Sequence, residues 1–162
     1  MKIRRARHED ASSLAAISFE VWMGTYIREG VNGFFADYAL NEFTTVNFET
    51  LVSDPTEMIW VSENTNGIDG FLRLTTDKTT DVPECPNVEL STLYVQNRHQ
   101  GKGIGRTLLQ RAITEGDLWL MVNAENVGAV KFYQKHGFVK AGKTYFKIQD
   151  QEYLNNVLTY KG

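Results

Sequence analysis

The sequence predicts one α/β domain around a largely antiparallel sheet, and three observations carry that prediction. Strand-sized apolar blocks alternate with stretches of helical period, and their order runs strand, helices, three strands, helix, strand, helix, two strands. The chain has 162 residues, 42% of them hydrophobic and 23% charged, which suits a single core and excludes a multidomain assembly.

Each element follows from local pattern. Residues 2–6 are short and extended; His8-Glu9-Asp10 supplies acids suited to a helix's first turn, and Leu14, Ile17 and Val21 then recur at helical spacing. Trp22, Tyr26 and the glycines Gly24, Gly30 and Gly33 end that helix. The aromatic segment 34–43 reads as a second short helix and residues 48–52 as a further turn. From Glu57 the period changes: Met58-Ile59-Trp60-Val61, the turn signal Asn66-Gly67 and Gly70-Phe71-Leu72-Arg73-Leu74 make a hairpin. Residues 81–86 are a loop with two prolines, and 88–95 are rich in β-formers. Ile104, Leu108, Leu109 and Ala112 mark a helix over 103–115; residues 118–122 are a buried strand, 126–136 a helix, and 137–148 with 153–160 a closing hairpin.

Several classes are excluded. Lys and Arg total 17 against 20 Asp and Glu, a formal charge of -3, so no global basicity argues for nucleic acid. No apolar run approaches the roughly 20 residues needed to span a bilayer. The basic start, residues 1–7, is followed by a stretch interrupted by Glu9 and Asp10, unlike an export signal. A lone Cys85 forms neither an internal disulfide nor a metal or redox motif, so a reducing cytoplasmic setting and no metal are expected.

One stretch stands out. Gln100-Gly101-Lys102-Gly103-Ile104-Gly105 lies between a strand and an amphipathic helix. Glycines there let backbone N–H groups approach a ligand, and the helix that follows presents its positive end to an anion. Arg98, Lys102, Arg106 and Arg111 add charge to the same anion. The plainer reading is a tight strand-to-helix turn with solvated bases. The spacing matches neither the Walker loop nor the dinucleotide fingerprint.

The loop resembles the Gln/Arg-x-x-Gly-x-Gly/Ala pyrophosphate loop of the GCN5-related N-acetyltransferase (GNAT) superfamily. A second block, Asn126-Val127-Gly128-Ala129-Val130-Lys131-Phe132-Tyr133-Gln134-Lys135-His136-Gly137-Phe138, is similar to that family's Asn-x-x-Ala-x-x-Phe-Tyr-x-Lys-x-Gly-Phe segment, at the family's distance downstream. Element order agrees along the whole chain, the N-terminal third in pattern only. The resemblance implies a single GNAT domain over 1–162, with a mixed, mostly antiparallel sheet of six to seven strands flanked by about four helices.

It also implies a chemistry, direct transfer of the acetyl group of acetyl-CoA to a primary amine. The pantetheine arm would bond to backbone groups of Leu93, Tyr94 and Val95, and the pyrophosphate would sit on the amides of Gln100, Gly101, Lys102, Gly103, Ile104, Gly105 and Arg106, with the helix dipole behind them. Backbone N–H near Leu93 would polarise the thioester carbonyl. Asn126 would bond the pantetheine and Tyr133 would protonate the departing thiolate as general acid; seven residues apart on one helix, the two would share a face. Tyr133 also reads as a half-buried aromatic whose hydroxyl finds any acceptor.

The amine must lose a proton before it attacks, and Glu89 is the candidate base: by alternation it shares a face with Ser91, Leu93 and Val95. It reads equally as a salt-bridged strand carboxylate. His136 suits a helix C-terminus and His99 belongs to the loop; a covalent route through Cys85 lacks a partnered base nearby in sequence.

Charge is partitioned. Residues 20–63 carry eight acids and one base, net -7, whereas 98–147 carry nine bases and three acids, net +6. A basic half suits the anionic cofactor, and an acidic, aromatic segment suits a cationic amine, with Trp22, Tyr26, Phe34, Phe35 and Tyr38 available to line its pocket. These rings and acids also read as core and solvated face. Looser similarity to the polyamine-acetylating PaiA branch of the family points to spermidine, spermine or a related diamine. The alternatives are another amine (an aminoglycoside, an amino acid or a protein N-terminus) and a CoA-binding regulatory module without turnover. The closing strands offer an edge on which a homodimer would form.

Overall fold

The computed structural model describes all 162 residues. The chain forms seven strands and five α-helices: β1 (Lys2–Arg5), α1 (Ala11–Tyr26), α2 (Gly33–Glu42), α3 (Thr45–Ser53), β2 (Glu57–Asn64), β3 (Gly67–Thr75), β4 (Glu89–Val95), α4 (Ile104–Ile113), β5 (Leu118–Asn123), α5 (Val127–Lys135), β6 (Val139–Ile148) and β7 (Gln151–Tyr160). The strands hydrogen-bond in the order β1-β2-β3-β4-β5-β7-β6. β1 with β2, β5 with β7 and β6 with β7 are antiparallel; β4 meets β5 in parallel, at the single register pair Glu89↔Trp119. The expected mixed, mostly antiparallel sheet is therefore present, with five helices rather than about four. No helix is long and apolar enough to cross a membrane.

The additional helix is α3, expected only as a turn. Its nine residues are largely polar, so periodicity is faint. Thr44 caps it by accepting the Asn47 N–H at 3.2 Å, as Asn32 caps α2 by accepting from Phe35 at 3.0 Å. Phe48, 5% exposed, then meets Phe71 edge-on at 6.0 Å, and burying such a ring contributes roughly 1.5–3 kcal/mol. Tertiary burial completes what local propensity leaves marginal.

The chain divides into two compact units, residues 1–73 with 92–111 and residues 74–91 with 112–162. In the first, Leu14 and Ile17 of α1, Phe48 of α3, Ile59 and Val61 of β2 and Phe71 of β3 form the core. Arg4 of β1 clamps its edge, reaching Asp10 at 2.7 Å ahead of α1 and Glu63 of β2 at 2.9 Å. That guanidinium holds the Asp10 carboxyl below the usual carboxylate range.

In the second unit the core is the apolar run Leu118-Trp119-Leu120 of β5 against Val157 and Leu158 of β7, with Leu120 opposite Leu158. The Trp119 backbone N–H donates to Val88 O at 3.0 Å and its indole N–H to Lys78 O at 3.2 Å, which ties the loop between β3 and β4 to β5.

Candidate active site

In the first unit, β4 leads through a short 3-10 turn, Asn97–His99, into the glycine loop and α4. Gly101 and Gly103 hold φ of +75° and +84°, a conformation that strains any residue with a Cβ. The Thr107 N–H is the first to find an intrahelical acceptor, Gly103 O at 3.0 Å. By helix geometry the N–H groups of Gly103, Ile104, Gly105 and Arg106 have no acceptor within the helix, and Gly103 has no side chain with which to cap them. A ring of open donors at a positive helix end, flanked by the exposed Arg98, Lys102 and Arg106, fits a pyrophosphate.

Two expected contributors do something else. Gln100 folds back: its Nε2 donates to Val95 O at 3.2 Å and to Asn97 Oδ1 at 3.1 Å, and its backbone N–H points to Asn97 O at 3.4 Å. It braces the loop and does not offer its amide to an anion. Arg111 lies in the last turn of α4, about 10 Å along the axis from Ile104, and stacks on Trp60 of β2 with Cζ 3.8 Å from the ring centroid. It anchors the helix to the sheet and is too far along to serve the anion.

A residue missed by sequence reasoning joins the same brace. Glu20 of α1 accepts the Asn97 backbone N–H at 2.9 Å, across 77 positions of sequence. Nothing local signals such a bond.

In the second unit, Asn126 is the N-cap of α5 rather than a member of the helix: its Oδ1 accepts the Ala129 N–H at 3.1 Å. The cap engages only the oxygen, which leaves the amide NH2 to donate elsewhere. The other end closes as a Schellman motif. Gly137, with φ of +91°, donates its N–H to Gln134 O at 3.2 Å, and Phe138 donates to Tyr133 O at 3.1 Å while their rings meet at 5.5 Å. His136 adds a 2.7 Å contact from Nδ1 to Phe132 O at this C-terminus. The Tyr-x-x-x-Gly-Phe spacing is thus a device that fixes Tyr133. Burial pushes the Tyr133 phenol well above its ordinary range, so it keeps its proton to higher pH than a free tyrosine.

Glu89, at the start of β4, is 6% exposed. The same-face spacing expected from alternation is realised, since Ser91 Oγ donates to Glu89 Oε2 at 3.1 Å; Thr75 Oγ1 of β3 lies 2.6 Å from Ser91 Oγ. Cys85 is partly buried, and desolvation raises its thiol, which disfavours the nucleophilic thiolate.

The expected acceptor segment forms an aromatic cluster in the first unit. Trp22, 4% exposed, is its hub, with Tyr26 at 4.9 Å, Tyr38 at 5.0 Å, Phe35 at 5.9 Å and Phe43 at 6.0 Å. Its faces are covered, so Trp22 supports the half-buried Tyr26 and Tyr38 and does not itself present a surface. Burial, with Glu42 nearby, pushes the Tyr38 phenol up to about 12. The acidity of this region is smaller than the local count of -7 implies. Glu57 lies 3.0 Å from Arg73 Nε and Glu63 pairs with Arg4, two bases outside the counted stretch, and Glu20 caps Asn97. Glu29, Asp37 and Glu42 remain exposed around α2.

Residues 55–140, from the β2–β3 hairpin through β4, the loop, α4 and α5, match the family described as "Acetyltransferase (GNAT) domain". The chain belongs to the GNAT acetyltransferase family. It is 31% identical over 148 residues to the peptidyl-lysine N-acetyltransferase YjaB of Salmonella typhimurium, covering 89% of this chain and 87% of that protein. Among solved structures it is similar to the PaiA N-acetyltransferase of Thermoplasma acidophilum in complex with coenzyme A, with a TM-score of 0.74 at 20% identity over 99% of this chain and 98% of that one. It is likewise similar to apo YjaB of Escherichia coli, with a TM-score of 0.68 at 25% identity over 99% and 97%.

As a GNAT protein the chain is an acyl-CoA-dependent N-acetyltransferase. The family match begins at residue 55, after α1, α2 and α3.

Proposed function

We propose that this enzyme transfers acetyl directly from acetyl-CoA to a primary amine at the end of an unbranched alkyl chain, a polyamine such as spermidine or spermine, within a single acetyltransferase domain. Gly101, Lys102, Gly103, Ile104, Gly105 and Arg106 hold the pyrophosphate, with Gln100 shaping their loop. The backbone of Leu93, Tyr94 and Val95, on the part of β4 past its one pair with β5, takes the pantetheine, with the Asn126 amide. Tyr26 and Tyr38, backed by Trp22 and flanked by Asp37 and Glu42, receive the ammonium through ring faces and carboxylates. Glu89 takes the amine's proton and Tyr133 protonates the thiolate.

The observation that supports transfer over mere CoA binding is Tyr133, a buried hydroxyl-bearing ring fixed at its helix end by the Gly137-Phe138 cap. A binding module has no need of a donor so prepared. The relationship to YjaB, named for peptidyl-lysine, favours a second acceptor of the same chemistry: a lysine side chain, like a polyamine end, is a primary ammonium on a short unbranched chain, four methylenes in lysine and three or four in spermidine. Thiol release from acetyl-CoA should therefore exceed background with spermidine, spermine or lysine-containing peptides, and stay at background with branched or secondary amines. Tight acetyl-CoA binding without thiol release to any amine would return the chain to the regulatory reading.

A further inference from the structure

Asp69 of β3 is buried with one carboxyl oxygen unanswered. The residue is 3% exposed; its Oδ2 accepts Asn64 Nδ2 at 2.9 Å, and its Oδ1, also buried, has no hydrogen-bond donor. A carboxylate taken out of water calls for a cation or for further donors. The cation at hand is His99, whose Nδ1 lies 3.9 Å from Oδ2. That gap is too long for a hydrogen bond and short enough for a ring rotation to close. The same stretch of β3 seats the glycine loop. Asp69 O accepts the Gln96 N–H at 2.9 Å, and Gln96 O in turn accepts the His99 N–H at 2.8 Å. A Cβ on Gly70 would lie 2.9 Å from Tyr94 O and 3.2 Å from Ile104 Cγ2, so the end of β4 and the first residue of α4 rest directly on β3. His99 is thus the side chain of the loop's entry turn that reaches back to this seat, one residue before Gln100.

We propose that Asp69 is a positioning residue for coenzyme A that acts through His99: the imidazolium pairs with the buried carboxylate and fixes the turn from which the loop and its open N–H groups depart. This rests on the reading of that loop as the pyrophosphate site. The other charged groups on the elements around the turn do not replace the pair. Glu20 of α1 engages the Asn97 backbone N–H, and Glu63, beside Asn64 on β2, is paired with Arg4. Arg98 and Lys102 are exposed, where solvent and salt screen them. Histidine changes charge between about pH 5 and 8, so the pairing has a direction. CoA affinity gains from it at the acid end of that range and loses the gain as pH rises.

The test measures Kd for CoA by calorimetric titration between about pH 5.5 and 8.5, in the native full chain and in Asp69→Asn, His99→Gln, their double variant and Gly103→Ala, with thermal unfolding of each. The pairing requires that Asp69→Asn and His99→Gln each weaken binding about 5-fold or more at the acid end, and that the double variant bind no more weakly than either. It also requires that the ratio of variant to native Kd fall towards one at the alkaline end. The CoA phosphomonoester titrates in this range too, but alike with every variant, so the ratio isolates the pair. Native binding in both single variants, beside a weakened Gly103→Ala, overturns the pairing and leaves the loop as the pyrophosphate site. Native binding in all of them, Gly103→Ala included, removes the loop reading and the pairing with it. A loss equal at every pH, or additive in the double variant, reduces Asp69 to a structural role. Should Asp69→Asn fail to fold, the pH profile of His99→Gln, a change at a partly exposed side chain, decides alone, and a flat ratio overturns the proposal.

Discussion

The helices that bear the proposed pyrophosphate loop and the proposed acid, α4 and α5, are finished in opposite ways. α4 starts at a glycine that has no side chain to cap it, so its first N–H groups stay open; α5 starts on the Asn126 cap and ends on a Schellman turn. An unfinished helix end is a binding surface, because its donors and positive dipole end want an anion. A finished helix is a mount: with both ends satisfied it holds Tyr133 in one place. Glycine serves both ends of this contrast, through positive φ at Gly103 and at Gly137.

Three experiments would break or sharpen this contrast. The largest effect is expected in α5: Tyr133→Phe should lower kcat roughly 100- to 10,000-fold with acetyl-CoA affinity unchanged, measured by thiol release and by calorimetric titration. Unchanged turnover would remove Tyr133 from the mechanism and leave α5 a mount for nothing.

The loop should respond in the other parameter. A Cβ at Gly103 would meet nothing within 4 Å, so its penalty is conformational. Holding an alanine at positive φ costs about 1–2 kcal/mol, which the loop can relieve by moving away from its anion-binding shape. Gly103→Ala is therefore expected to weaken CoA binding about 5- to 30-fold, by the conversion of that strain, with kcat at saturation near native. Normal affinity would show that the loop's shape is not what binds.

The smallest effect separates Asn126's two jobs. Asn126→Asp keeps an oxygen for the Ala129 N–H, so the melting temperature should hold while KM for acetyl-CoA rises severalfold, the donor NH2 having gone. Asn126→Ala should lose the cap as well, at about 0.5–2 kcal/mol of stability. Equal melting temperatures for the two variants would mean that the cap adds nothing.

Most of the fold was legible from the chain because its signals are local. Alternation in 57–74, the Asn66-Gly67 turn, and the helical spacing of Ile104, Leu108 and Ala112 each involve neighbours within a few residues, and each element formed where expected. The loop and cap geometry around the proposed site was legible to the same depth. Gly101, Gly103, Asn126, Tyr133 and Gly137 lie in motifs whose spacing is itself the mechanism of a loop or a cap. Where contacts are distant the reading departed from the structure. Arg111 belongs by sequence with the loop bases but stacks on Trp60, 51 residues earlier, and the acidic window loses charge to Arg4 and Arg73 from outside its bounds. Asn126 was assigned to the helix face because helical periodicity does not distinguish the last residue before a helix from the first within it.

The sequence by itself determined the order of elements, the family and the positions of the loop and the tyrosine, since backbone conformation and capping are set by residues a few places apart. Only the tertiary structure decided what each charged or aromatic group is for. It turned Trp22 into a hub, made Glu20 a brace for Asn97, buried Glu89 with Ser91 donating to it, and raised the Tyr133 phenol by desolvation. Those roles depend on desolvation and on partners up to 77 residues away, and neither quantity exists until the chain has folded.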